Sequence, residues 1–164
     1  MTRILAIDPG SERSAWLLWD DAVVAFGIAL NDDVLRDLRS SRPVLFGASE
    51  GRIAARSVVV IEQIESYGMA VGREVFATVH WSGRFTEAAH PTPVVQLPRR
   101  TVKLAICGDS RARDANIRQA LLDRFGGSAA VGRKATPGPL YGITRDVWSA
   151  LAIAITYADL QADR

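Results

Sequence analysis

The run "RSVVVIEQ", residues 56–63, is compact and β-branched and ends in an acid, Glu62. Three successive valines followed by isoleucine are expected of a strand buried on both faces, as in the interior of a parallel sheet. A carboxylate closing such a strand is costly unless it is paired or opens onto a crevice. This one segment therefore raises both the question of fold and the question of a site.

Upstream, "RILAID" (3–8) is a second strand, ended by "PGS". "SAWLLWD" and "AVVAFGIAL" follow as two further strands with the turn at Asp20–Asp21, which makes an antiparallel meander. "NDDVLRDLR" (31–39) is a short helix with an Asn or Asp cap. Downstream, Val71, Val75, Phe76, Val79 and Phe85 recur at helical spacing between Met69 and Ala88. "TPVVQL" is a short strand, and "TVKLAICG" and "RDANIRQALLDRFGG" are two helical segments, the latter closed by Gly126 and Gly127. The Gly/Pro-rich stretch 128–140, with Arg133 and Lys134, is a loop: either a mobile arm over a partner or plain disorder. "ITRDVWSALAIAI" (143–155) opens a closing helix running from about Thr144, its expected N-cap, to Asp163. A strand meander followed by alternating helices and strands implies an α/β chain, a mixed sheet covered by helices, over a single domain spanning 1–164.

The 164 residues are 48% hydrophobic and 23% charged, as in a globular domain able to bury its own core. No apolar run approaches the roughly 18–20 residues of a membrane span, so no membrane association is expected. No basic stretch or cleavage site precedes the first strand, and the single cysteine, Cys107, suits a reducing compartment; a cytoplasmic location is expected. Charge is uneven. Residues 97–145 carry ten Lys or Arg against three acids, while the remainder carries ten against fifteen. Such a segment is either the footprint of a phosphate-backbone partner or a solvated face.

Three acids stand at the ends of three elements: Asp8 on the first strand, Glu62 on the central strand, and Asp146 at the mouth of the last helix. Singly they have structural readings as a turn residue, a strand terminus and a dipole-complementing helix start. If the two strands are neighbours, however, Asp8 and Glu62 converge, and the last helix can present Asp146 to them. Ligands of open α/β sheets gather at such strand ends. Three hard oxygen donors suit Mg²⁺ or Mn²⁺, and two ions about 4 Å apart serve phosphodiester hydrolysis.

The segments "ILAIDPGS" (4–11), "VVIEQIES" (59–66), "TVKLAICGDSRARDANIRQAL" (101–121) and "DVWSALAIAITY" (146–157) resemble, in order, the RuvC-type Holliday junction resolvases of the ribonuclease H-like superfamily. The resemblance implies a five-stranded mixed sheet flanked by helices and a homodimer. It also implies cleavage of four-way, branched DNA junctions by paired, metal-dependent nicks, with two Mg²⁺ or Mn²⁺ ions per site. By the same resemblance Asp8, Glu62 and Asp146 are metal ligands, and Lys103 contacts the scissile phosphate. Arg111, Arg113, Arg118 and Arg145 are then DNA-backbone contacts.

The chain departs from the family at two places. The last helix of the family offers a second acid three residues after the first, on the same helical face; here that residue is Ser149, a weaker, neutral ligand that lines the site. Glu65 and Asp109 are the nearest alternative acids. The family's aromatic wedge after "IEQ" is replaced by Ile64, with Tyr67 the nearest aromatic and so the expected DNA contact there. Two other readings stay open: a junction-binding protein that has lost catalysis, and a nuclease for RNA–DNA hybrids or flaps. An actin-like phosphotransferase lacks a second phosphate loop. Trp16, Trp19 and Phe26 are expected in the core, Trp81 and Phe85 in the core or a dimer seam, and Trp148 either buried or stacked on a base. His80 and His90 receive no role.

Overall fold

A computed structural model describes residues 3–40, 46 and 57–163. The meander consists of β1 (Arg3–Asp8), β2 (Arg13–Trp19) and β3 (Val23–Leu30). Helix α1 (Asn31–Arg39) follows, then β4 (Ser57–Gln63), α2 (Arg73–Ala88) and β5 (Val94–Pro98). The chain continues through α3 (Arg99–Cys107), α4 (Asp114–Arg124), a two-residue ribbon of β6 (Gly132–Arg133) and β7 (Thr136–Pro137), and α5 (Val147–Ala162). The sheet order is β3-β2-β1-β4-β5, antiparallel through the meander and parallel from β1 to β4 and from β4 to β5. The mixed sheet expected from the element order is present.

Alternation along the strands divides the core in two. Leu5, Ile7, Val59 and Ile61 face one way and pack with Val34, Leu38 and Phe85 of α1 and α2. Ile4, Ala6, Val58 and Val60 face the other way and pack with α3, α4 and α5. Both central strands are thus buried on both faces, as the valine run requires. Helix α5 lies across β1 and β2 on its Ala- and Ile-rich faces, with residues 150–155 all buried.

Several helix starts differ from the sequence reading. Asn31 does not cap α1; Leu30 holds that position. The buried Asn31 side chain instead accepts a hydrogen bond from the Ser14 hydroxyl (2.6 Å) and donates to the Gly10 carbonyl (2.9 Å). Helix α2 begins at Arg73, leaving Met69 and Val71 exposed before it. Helix α3 begins two residues earlier than expected, with Arg99 as its first residue after Pro98. Thr144 is not the cap of α5. Arg145 adopts a left-handed conformation (φ 48°) that interrupts the helix, and Asp146 takes the N-cap position. Stretch 128–140 is neither a free arm nor disordered: a 3-10 turn (Gly127–Ala130) leads into the β6–β7 ribbon, which carries the exposed Arg133 and Lys134.

Among the tryptophans, Trp16 is buried against Phe46, while Trp19 is half-buried against Phe125. Phe26 is partly buried, Phe85 is fully buried, and Trp81 lies over it half-exposed. No helix among the described residues is long and apolar enough to cross a membrane.

The turn that follows Asp8 is held from three sides. Gly10 donates its N–H to Ser14, accepts from Asn31, and leaves no room for a side chain, since a Cβ would stand 2.2 Å from the Arg13 carbonyl. Removing the Asn31 amide takes the acceptor from the buried Ser14 hydroxyl and the donor from the half-buried Gly10 carbonyl. Asn31→Ala is expected to cost about 2 kcal/mol in urea unfolding, and a loss under about 0.5 kcal/mol would show that the turn is held otherwise.

Candidate active site

The parallel register places Ile4 beside Val58, Ala6 beside Val60 and Ile7 beside Ile61. With a side-chain period of two, Asp8 continues the row of Ile4 and Ala6, and Glu62 the row of Val58 and Val60. The two carboxylates therefore emerge abreast, at the C-terminal ends of adjacent strands, on the face that α5 covers. Asp146 reaches the same place from the start of α5. It holds the N-cap position of α5, but its exposed side chain makes no capping hydrogen bond and is left available. Ser149, three residues on, lies near enough to Asp8 for its hydroxyl to favour the charged carboxylate.

The electrostatics show how crowded this corner is. Asp8 keeps some solvent contact at the crevice. Even so, burial and then the Glu62 carboxylate push its pKa up to about 8, Asp146 adding to the rise while Arg99 and the Ser149 hydroxyl oppose it. Glu62 is buried, and burial raises its pKa too, against the pull of Arg99 and Lys103. The two acids are thus only partly compensated.

Arg99 was not singled out by sequence reasoning, yet it makes the closest contacts in the site. Its Nη1 donates to both Glu62 oxygens at 3.0 and 3.1 Å, and its Nη2 donates to Asp114 at 2.5 Å. Asp114, the first residue of α4, was also missed. The strand register explains the placement: β5 pairs with β4 so that Leu97 lies beside Glu62 and Pro98 beside Gln63. The residue leaving β5 is thereby delivered to the acid at the end of β4. Lys103, one helical turn after Arg99, is half-buried and close enough to Glu62 to favour its charged form.

Between α4 and the start of α5 lies a crevice of about 490 Å³, lined among others by Asp114, Arg118, Arg145, Asp146, Trp148 and Ser149. Trp148 is buried, and the Arg118 guanidinium lies 5.3 Å from its ring centre, so this indole is covered and not offered to a base. Arg111, Arg113, Arg118 and Arg145 are exposed and form no ion pair among the described residues. Tyr67 is exposed in the loop after β4, where its hydroxyl donates to Glu65 (2.8 Å), and it does not line the crevice. Glu65 is thus turned to Tyr67, and Asp109 accepts the Arg111 backbone N–H (2.8 Å). Neither replaces the acid that Ser149 lacks.

The donor set suits a hard divalent cation in type and in charge: carboxylate oxygens with a surplus of negative charge, plus one hydroxyl. Among the described residues, though, no three carboxylate, imidazole or thiol side chains are already gathered around one ligating point. Glu62 has both oxygens on Arg99 instead.

Neither protein-family models nor characterised protein sequences match the chain. Solved structures do. The structure of Thermus thermophilus RuvC is 19% identical, aligned over 98% of this chain and 97% of that one, with a TM-score of 0.61. T. thermophilus RuvC in complex with a Holliday junction substrate is 18% identical over 98% and 95%, with a TM-score of 0.64. The chain therefore shares the ribonuclease H-like fold of RuvC along almost its whole length.

Between its ordinary value of 3.8 and about 8, Asp8 holds a proton in the folded state that the unfolded chain has released. Stability is accordingly lost as pH rises through that window, and the loss is complete above it. In metal-free protein, Asp8→Asn is expected to raise the Tm by about 5 °C near pH 9 and by nothing below about pH 4. A variant melting at or below the wild type near pH 9 would contradict the repulsion described.

Proposed function

We propose that the protein is a metal-dependent, structure-selective endonuclease that resolves four-way DNA junctions. One observation carries the reading: two strand-end carboxylates stand abreast, faced by Asp146 and Ser149, at the edge of a crevice rimmed by unpaired arginines. The shared fold with RuvC, whose structure with a Holliday junction is among the similar ones, supports it.

In this reading Asp8, Glu62, Asp146 and Ser149 hold Mg²⁺ or Mn²⁺, two ions per site. When bound, such ions make a water nucleophilic at neutral pH and stabilise the leaving oxygen. Lys103 holds the scissile phosphate, and its half-buried stem fixes where the ammonium can reach. Arg118 and Arg145, on the two walls of the crevice, bind the flanking phosphates; Arg111 and Arg113 extend the track. Tyr67, exposed in the loop after β4, is assigned to contact the branch point.

Paired nicks need two sites, and each chain has one, so the proposed active form is a homodimer. Helix α2 offers Phe76 (66% exposed) and Val79 (49%) on its outer face, beside Met69 and Val71, as the seam. Of Trp81 and Phe85, read from the sequence as core or seam, Phe85 belongs to the core and Trp81 packs half-exposed against it. A cytoplasmic location is proposed with the DNA substrate. The second reading, junction binding without cleavage, is favoured specifically by Ser149 and by Arg99 on Glu62.

The test is a cleavage panel of four-way junction, flap, RNA–DNA hybrid and linear duplex with Mg²⁺ or Mn²⁺, alongside light scattering. Expected are junction nicking at least tenfold over linear duplex, a dimer mass for the wild type, and monomers for Phe76→Glu. Asp8→Asn should cut at least 10³-fold more slowly and still bind the junction. Binding without cleavage in either metal, with activity gained by Ser149→Asp, would favour the second reading. Preference for hybrids or equal cutting of duplex would remove the junction.

A further inference from the structure

Arg99 bridges two acids of opposite situation. Glu62 has a side chain 9% exposed; that of Asp114 is 75% exposed; that of Arg99, which joins them, is 37% exposed. One arm serves the buried carboxylate and the other serves the exposed one, on the first residues of α3 and α4. Glu62 lies deep in the crowded corner, where Asp8 and Asp146 already repel one another. A positive group is required there, and Arg99 is the one in direct contact.

We propose that Arg99 is the resident cation of this corner, exchanged for a divalent ion when Glu62 becomes a ligand, and that Asp114 is the carboxylate that receives it. The proposal rests on the metal-dependent reading above and adds to it a positioning pair that acts on the metal site through Glu62. Both carboxylates hold the same guanidinium, so transfer of Arg99 to Asp114 breaks only the Glu62 contact and leaves the arginine paired near solvent. The fork geometry matters: two separate N–H faces let one side chain hold two acids, which a lysine ammonium does less well. The lack of three pre-gathered ligands among the described residues agrees with Glu62 being engaged elsewhere. Arg99 therefore opposes metal binding, by occupying a ligand and by like charge, and Asp114 relieves that opposition.

The experiment is a calorimetric titration of the full chain with Mn²⁺ alone, at mildly alkaline pH. It compares wild type, Arg99→Gln, Asp114→Asn, the double variant, and Asp8→Asn as the site control, with circular dichroism to verify folding. Arg99→Gln should bind Mn²⁺ about tenfold more tightly than wild type, because a competitor and a like charge are gone. Asp114→Asn should bind about threefold or more weakly, because Arg99 loses the partner that draws it away. In the double variant the Asp114 effect should vanish and affinity should match Arg99→Gln.

Unchanged or weaker binding by Arg99→Gln would overturn the proposal, as would an Asp114 effect that persists without Arg99. If Arg99→Gln does not fold, the exposed Asp114→Asn decides: weakened binding supports the exchange, unchanged binding overturns it. Binding seen only once Arg99 is removed would support the exchange while counting against a metal-dependent wild type. Absence of Mn²⁺ binding to every protein, or binding unaffected by Asp8→Asn, would remove both.

Discussion

The parallel pairing of β1 with β4 is the constraint on which the rest depends. It sets Asp8 beside Glu62 at the ends of two strands whose central residues are all apolar and buried. Two carboxylates at such a place cost free energy unless positive charge or water reaches them. The fold answers in three ways: Asp8 is only half-buried, Arg99 grips Glu62, and the Ser149 hydroxyl lies near Asp8 and favours its charged form. What remains uncompensated is what the proposed cation site rests on, since a cluster short of positive charge favours a cation.

The surrounding architecture turns that electrostatic deficit into a positioned site. The Gly10–Ser14–Asn31 network fixes the turn leaving Asp8, and the all-buried stretch of α5 fixes the helix that carries Asp146 and Ser149. The left-handed Arg145 ends the preceding turn and lets the helix start at Val147, with Asp146 standing free at its mouth. Helix α4 then brings Arg118 to the crevice from the other wall. Rigid elements thus set the acids, while the exposed arginines remain unpaired and available to a polyanion.

Much of this was legible in the sequence because it rests on short-range pattern. The valine run marked β4, and alternation together with the turn at 20–21 marked the meander. Its acid-terminated strands pointed to the corner where Asp8 and Glu62 meet. What was hidden depends on tertiary partners. Asn31 looks like a cap by its local chemistry, but its amide is claimed by Ser14 and Gly10, which lie about twenty residues back. Thr144 looks like a cap for the same local reason, and the backbone of Arg145 overrides it. Arg99 and Asp114 are fifteen residues apart, and only the packing of α3 against α4 places both beside Glu62. Without that contact they read as two more surface charges.

The central claim is that the Asp8–Glu62 corner is a cation site whose charge is held in the meantime by Arg99. Anomalous diffraction from crystals equilibrated with Mn²⁺ tests it most directly. The account predicts a manganese peak among Asp8, Glu62 and Asp146, with the Arg99 guanidinium withdrawn to Asp114. A corner without manganese, or manganese bound while Arg99 still holds both Glu62 oxygens, would contradict it.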